Sequence, residues 1–399
     1  MSGNGSSKFI HLEWARGIAS VIVLFHHFAL AFIPGLKTPF PQGGLVYTPA
    51  YALMNGSGAV IFFFVLSGFV LSHGYFQRPC LQTLTGSVIK RLPRLMLPAG
   101  LTILAGCAIL TLLPHSFEVA GHMTGSAWLS HFGHSAMPDG VEPGFADALR
   151  QTLMVFLHEE DDYYNTNLRT MNFEFYGSMI VFFGLLLFSV KRFGPYLIMA
   201  FLLVFTIWFA VFDVRYTPFL AGMILSYLVV VRGIRISLGT RSSAVLLLLA
   251  MIGFMSDEFT LCCLASVAVM LVLLGNEGLA RRFSGRWSNF IGALSFPLYL
   301  VHTLVILSMT SRFYVLMVEN GFSREVVLAS AFAMTLAVAF LASLPLVVLE
   351  KNWVPFLNRL TKRLTARLFE KPAQQVPTTV SQSREEEMVG DVGLEPTTR

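Results

Sequence analysis

The chain has 399 residues, of which 55% are hydrophobic and 13% charged, with 36 phenylalanines. A soluble domain carries about 25% charged residues, so this composition excludes an ordinary water-soluble globule and points to helices in a bilayer. The net charge of +5 would suggest an anionic partner in a soluble protein; here it reflects how basic residues sort across a membrane, and no nucleic-acid partner is expected.

Apolar runs of near-membrane length predict spans at 14–34, 57–76, 94–114, 172–190, 194–212, 216–232, 242–256, 259–275, 290–309 and 327–349. The first run is long and carries His26 and His27, so it reads as a span rather than a cleavable signal peptide. Residues 115–171 form the longest external loop, with an acidic end at Glu159-Glu160-Asp161-Asp162. Within it, Ala146 to Leu157 has apolar positions at helical spacing and is expected to lie along the membrane surface. The stretch 242–275 is apolar throughout except for Ser256-Asp257-Glu258, which allows either two short spans or one long tilted helix.

Charge decides that count. With ten spans and a cytoplasmic N-terminus, Lys37, Arg150, Arg169, Arg215, Arg312 and Arg324 alone among the 28 lysines and arginines fall outside. Merging the seventh and eighth spans would put Arg281, Arg282, Arg286 and the basic tail outside. The expected fold is therefore all-α: a polytopic bundle of ten spans with both termini cytoplasmic. Residues 1–350 form the membrane domain. A basic interfacial segment at 351–371 has Trp353, Phe356, Leu357, Leu360 and Leu364 interleaved among its charges. Residues 372–399, rich in Gln, Thr, Ser and Glu, read as a disordered tail. Cys80, Cys107, Cys262 and Cys263 show neither C-x-x-C spacing nor a disulfide framework.

Four stretches carry chemistry. In the first span, Arg16 and His27 are eleven residues apart, close to three helical turns. They share a face roughly 16 Å apart along the axis, while His26 points about 100° away. Such groups are costly in lipid and should face the bundle interior. Histidine suits proton transfer at neutral pH, and the planar fork of arginine suits phosphate. Lys90-Arg91-Leu92-Pro93-Arg94 precedes the third span on the same side, with Arg91 and Arg94 three apart. As a simple topology signal it needs no ligand. Glu174, where the fourth span enters from outside, could merely complement a helix dipole. His302, in Ser295-Phe296-Pro297-Leu298-Tyr299-Leu300-Val301-His302, could merely bond between helices.

Together these stretches resemble the acyltransferase-3 family of membrane O-acyltransferases. Ala15-Arg16-Gly17-Ile18-Ala19 through His27 is similar to its arginine, ten residues, histidine motif, and 58–69 to its second-span signature. Arg91-Leu92-Pro93-Arg94 is similar to its paired arginines, and Glu174-Phe175-Tyr176 and Ser295 to His302 to two later signatures. The matches run in order from residue 11 to 303. Where the family usually has a tryptophan before the glutamate, this chain has Leu168-Arg169-Thr170. The wording Phe175 to Met179 looks more like fungal members.

The resemblance implies transfer of an acyl group, commonly acetyl, from acyl-coenzyme A to a hydroxyl of a carbohydrate, lipid or secondary metabolite, with no metal. His27 would be the general base, Arg16, Arg91 and Arg94 would hold the donor's phosphates, and Glu174 and His302 would orient the acceptor. The expected partners are the donor, the hydroxyl-bearing acceptor and membrane lipids. The membrane would be a bacterial inner membrane or a eukaryotic, fungal-type endomembrane or plasma membrane. A secondary transporter of a small organic anion is the rival reading, since intramembrane charge would serve it equally; the lack of an internal repeat weighs against it.

Overall fold

The computed structural model describes residues 9–133, 142–159, 161–189 and 195–369. Glu160 and the predicted tail 372–399 lie outside the described residues. Among those described, the architecture is helical with no strand. In chain order the helices are α1 (Ile10–Phe32), α2 (Pro49–Ala52), α3 (Gly56–Gln77), α4 (Leu81–Leu112), α5 (Ser116–Thr124), α6 (Ala127–Ser130), α7 (Phe145–Met154) and α8 (Arg169–Ser189). There follow α9 (Pro195–Phe212), α10 (Thr217–Val230), α11 (Thr240–Phe254), α12 (Phe259–Gly275), α13 (Glu277–Arg282), α14 (Arg286–Val305), α15 (Ser311–Glu319) and α16 (Arg324–Phe369).

A helix covers each of the ten predicted positions. Among the described residues, six helical stretches are long and apolar enough to cross a membrane: α1, α3, α4, Thr166–Ser189, Arg286–Glu319 and α16. The other four apolar helices, in α9 to α12, are shorter. At 1.5 Å per residue α11 reaches about 22 Å and α12 about 26 Å, against a hydrocarbon core of about 30 Å. The break between those two falls at the predicted polar turn. Glu258 caps α12 by accepting from the Leu261 amide, and the Tyr51 hydroxyl donates to Asp257 at 2.6 Å. Asn55 Nδ2 donates to the carbonyls of Phe254 and Ser256. These bonds satisfy backbone groups that an apolar loop would leave bare.

The core is built by α1 against α14 and α3 against α10, with α4, α12 and α16 packed around them. Gly17 of α1 faces Ile291, and Gly292 of α14 faces Glu13. A Cβ at either position would overlap the other helix, so the two backbones can approach closely because both residues are glycine.

The end of the predicted external loop is buried in protein. Residues 161–168 fold back between α4, α14 and the start of α8, and Tyr163, Tyr164, Asn165 and Leu168 are fully buried. Irregular backbone at this depth is tolerable where protein satisfies it: Asn165 Nδ2 donates to Thr102 Oγ1 and to the Leu300 carbonyl. Gly106 of α4 permits the insertion, because a Cβ there would strike the Tyr164 carbonyl.

Most of the amphipathic stretch 146–157 forms a helix, α7, which ends at Met154 and packs on α4. The basic segment continues α16 without a break to Phe369. Rather than lying alone on a membrane surface, it pairs with the first turns of α4: Lys90 Nζ donates to Asn358 at 2.9 Å, and Leu357 and Thr361 are buried.

Candidate active site

The register read from the first span places both of its polar groups against α14. Arg16 Nε donates to Ser295 Oγ at 2.7 Å and Nη2 to the Gly292 carbonyl at 2.5 Å, while Glu13 pairs with it from the preceding turn. Three turns on, His27 Nδ1 lies 2.9 Å from His302 Nε2. Ser295 and His302 are seven residues apart, two turns, so α14 presents a matching stripe. His26 turns away to the Met54 carbonyl.

The proton positions on the histidine pair follow from the acceptors. His302 Nδ1 lies 3.1 Å from the Leu298 carbonyl, which can only accept, so Nδ1 carries the hydrogen and Nε2 the lone pair. His27 must then donate from Nδ1, leaving its own lone pair on Nε2. Trp128 stacks on the His27 ring, with centroids 5.4 Å apart, which limits rotation of the imidazole.

Asn167, in the inserted segment, packs against the ring of His302 from the other side. Its Nδ2 donates to the Tyr299 carbonyl and lies 3.1 Å from His302 Nδ1 and 3.4 Å from Nε2. Its Oδ1 is buried with no hydrogen-bond partner among the described residues. The Tyr299 hydroxyl bonds Thr170 Oγ1 at 2.6 Å and donates to the Asn167 carbonyl at 2.9 Å.

A second buried cluster joins α3, α4 and α8. Arg91 and Glu174 form an ion pair with side chains 7% and 15% exposed. Ser67 Oγ donates to Glu174 at 2.6 Å, and Arg91 Nε donates to Ser178 Oγ at 3.0 Å. Glu174 is therefore held by arginine rather than standing open at a helix start. Arg94 is exposed and within electrostatic range of Arg91, Arg16, Glu174 and Glu350. Pro93, between the two arginines of α4, and Pro98, one turn beyond Arg94, remove amide donors within one and a half turns. Trp353 of α16 donates to the Pro93 carbonyl at 3.0 Å.

Arg169, at the family's tryptophan position, makes a 3.5 Å ion pair with the fully buried Asp162. The predicted residues thus gather into a histidine pair and an arginine–glutamate pair, with Arg16 and Arg94 toward the start of α1. The reading of the sequence passed over Asn165, Asn167, Ser67 and Trp128. Two asparagines two apart, directly after Tyr163-Tyr164, were the available signal. Among the described residues there is no cluster of three or more His, Cys, Asp or Glu side chains that could hold a metal ion.

These features define an integral membrane protein with a buried, histidine-centred polar site. Comparison with protein families assigns it: a sequence model described as an acyltransferase domain, that of acyltransferase family 3, matches residues 9–344, and the chain belongs to this family. It is an acyltransferase transferring groups other than aminoacyl groups, which sets the transporter reading aside. The chain is similar to the O-acetyltransferase PaAT-1 of Phomopsis amygdali, 27% identical over 369 residues, covering 74% of this chain and 72% of that relative. No solved structure matches.

Proposed function

We propose that this protein transfers an acetyl group from acetyl-coenzyme A to a hydroxyl of a carbohydrate, lipid or secondary-metabolite acceptor. The observation that carries the reading is the bond between half-buried His27, on the same stripe of α1 as Arg16, and fully buried His302. His27 Nε2 takes the proton of the acceptor hydroxyl as its oxygen attacks the thioester carbonyl. When the carbon–sulfur bond breaks, the same proton passes to the departing thiolate. His302 supports the imidazolium by accepting its Nδ1–H, the role a carboxylate plays in other acyl-transfer sites.

Arg16 and Arg94 hold the phosphates of the donor, and the ~16 Å from Arg16 to His27 suits the extended arm that joins phosphates to thioester. Arg91, with its charge balanced by Glu174, fixes the wall between them.

The fungal O-acetyltransferase among its relatives supports the choice of acetyl, and a fungal endomembrane or plasma membrane as the location. The positive-inside count supports ten spans with both termini cytoplasmic, with the four shorter helices spanning as part of the bundle. Incubating purified protein with acetyl-labelled coenzyme A and candidate acceptors tests the proposal. Label on an acceptor with release of coenzyme A is expected; no turnover with any hydroxyl acceptor would overturn it.

A further inference from the structure

Behind α1, on the face turned away from His27, lies a cavity of about 420 Å³ that the chemistry above does not use. Trp14, Ile18 and Ile22 line it, one turn apart. Ile18 sits about 200° from Arg16 around the helix, and Ile22 about 220° from His27. One α1 helix therefore serves the polar site with one face and this cavity with the other.

The cavity follows α1 from Trp14 to Ile22. Its inner end is closed by Trp14 stacked on Phe283, with ring centroids 3.9 Å apart. Its outer end is at Asn55, next to Gly56, which packs on His26. From Trp14 to His26 the rise is about 18 Å. Ile18 and Leu247, both on its wall, are 38% and 41% exposed, so the slot opens sideways.

Its lining decides what fits. Besides the indole N–H of Trp14 at its inner end, Asn55 is its one polar side chain, and that amide is spent: Nδ2 donates to two carbonyls and Oδ1 accepts from Gly58. A sugar or the amide-bearing arm of coenzyme A would lose most of its hydrogen bonds to water and could regain at most one, from the Trp14 indole. A hydrocarbon chain loses nothing.

The inner end is also cationic. Leu279 and Phe283 line the slot there, and between them in sequence stand Arg281 and Arg282, with Arg286 close after. All three are exposed and form no ion pair with a described residue. Arginine is suited to paired contacts with phosphate oxygens, and basic residues at the cytoplasmic ends of interhelical pockets attract anionic headgroups.

The geometry points to a site for one anionic phospholipid: a single acyl chain lies in the slot behind α1, and its phosphate meets Arg281, Arg282 and Arg286. Under the proposed orientation this lipid belongs to the cytoplasmic leaflet. The inference does not depend on the acyl-transfer reading.

The test uses the full chain, purified and delipidated in detergent, titrated with phosphatidylglycerol or phosphatidylcholine. Thermal midpoint and native mass spectrometry are the readouts. Phosphatidylglycerol is expected to remain bound and to raise the midpoint by at least about 2 °C, with phosphatidylcholine giving less than half that. Ile18→Trp, which fills the slot from an exposed position, should abolish the shift with either lipid. Arg281→Gln with Arg282→Gln, at exposed sites that fold normally, should remove the preference for the anionic lipid. Equal shifts with both lipids, or an undiminished preference in the double arginine variant, would overturn the proposal. Neither readout involves turnover, so a failure here and a failure of the catalytic assignment are separable.

Discussion

His27 of α1 and His302 of α14 are joined ring to ring at 2.9 Å although 275 positions separate them in the chain. The bond fixes the tautomer of His27 and aims its basic nitrogen. His27→Ala should therefore reduce acetyl transfer by about 10²- to 10⁴-fold without lowering the thermal midpoint. His302→Ala should lower kcat by less, leave KM for the donor unchanged and shift the pH–rate profile. Steady-state kinetics with labelled acetyl-coenzyme A check both, and a His302→Ala variant with wild-type kcat would remove the orienting role.

The Arg91–Glu174 pair is buried, so losing one partner strands a charge. Glu174→Gln or Arg91→Met alone should each cost about 3–5 kcal/mol. The double change Arg91→Met with Glu174→Leu should recover most of that stability without recovering activity. Melting curves of the purified variants would show this directly. A double variant no more stable than the singles would mean that Ser67 and Ser178, rather than the ion pair, govern the site.

Insertion of residues 161–168 depends on the absence of a side chain at Gly106. Gly106→Val should cost about 1–3 kcal/mol by overpacking and abolish transfer, because Asn165 and Asn167 lose their places against α14. Gly74, with nothing near its missing Cβ, is the control. Gly74→Ala should be neutral or stabilising by up to about 1 kcal/mol, since alanine favours the helix.

At the loop between α9 and α10, hydrogen bonds from Arg215 hold the Asp213 carboxyl below its ordinary value. The folded state thus binds that proton less readily than the unfolded chain. The stabilisation is fully present above the ordinary carboxylate range near pH ~4 and is lost as pH falls through the lowered value. Asp213→Asn should make the thermal midpoint lower at neutral pH and less sensitive to acid between about pH 5 and 3. An unchanged acid limb would show that the ion pair contributes nothing.

Much of the site was legible because helical periodicity is rigid over short distances. Arg16 and His27 had to share a face, and the polar turn at Ser256-Asp257-Glu258 had to interrupt an apolar run. Glu174 illustrates the limit. Its place near a helix start suggested an outward-facing group, whereas α4 brings Arg91 against it. Arg169, which looked like a defect in the family pattern, proves to be the partner of buried Asp162.

Sequence by itself determined the solvent, the positions of the helices and the stripe of polar groups on α1, since each follows from composition or from local geometry. Tertiary structure alone decided which groups meet. The pairing of His27 with His302, the capture of Glu174 by Arg91 and the descent of 161–168 into the bundle join residues dozens to hundreds of positions apart. Their contacts are set by how close glycines such as Gly17, Gly106 and Gly292 let backbones come. No periodicity within one helix encodes the approach of another, so the pattern along a strand of sequence could name the reactive groups but not their partners.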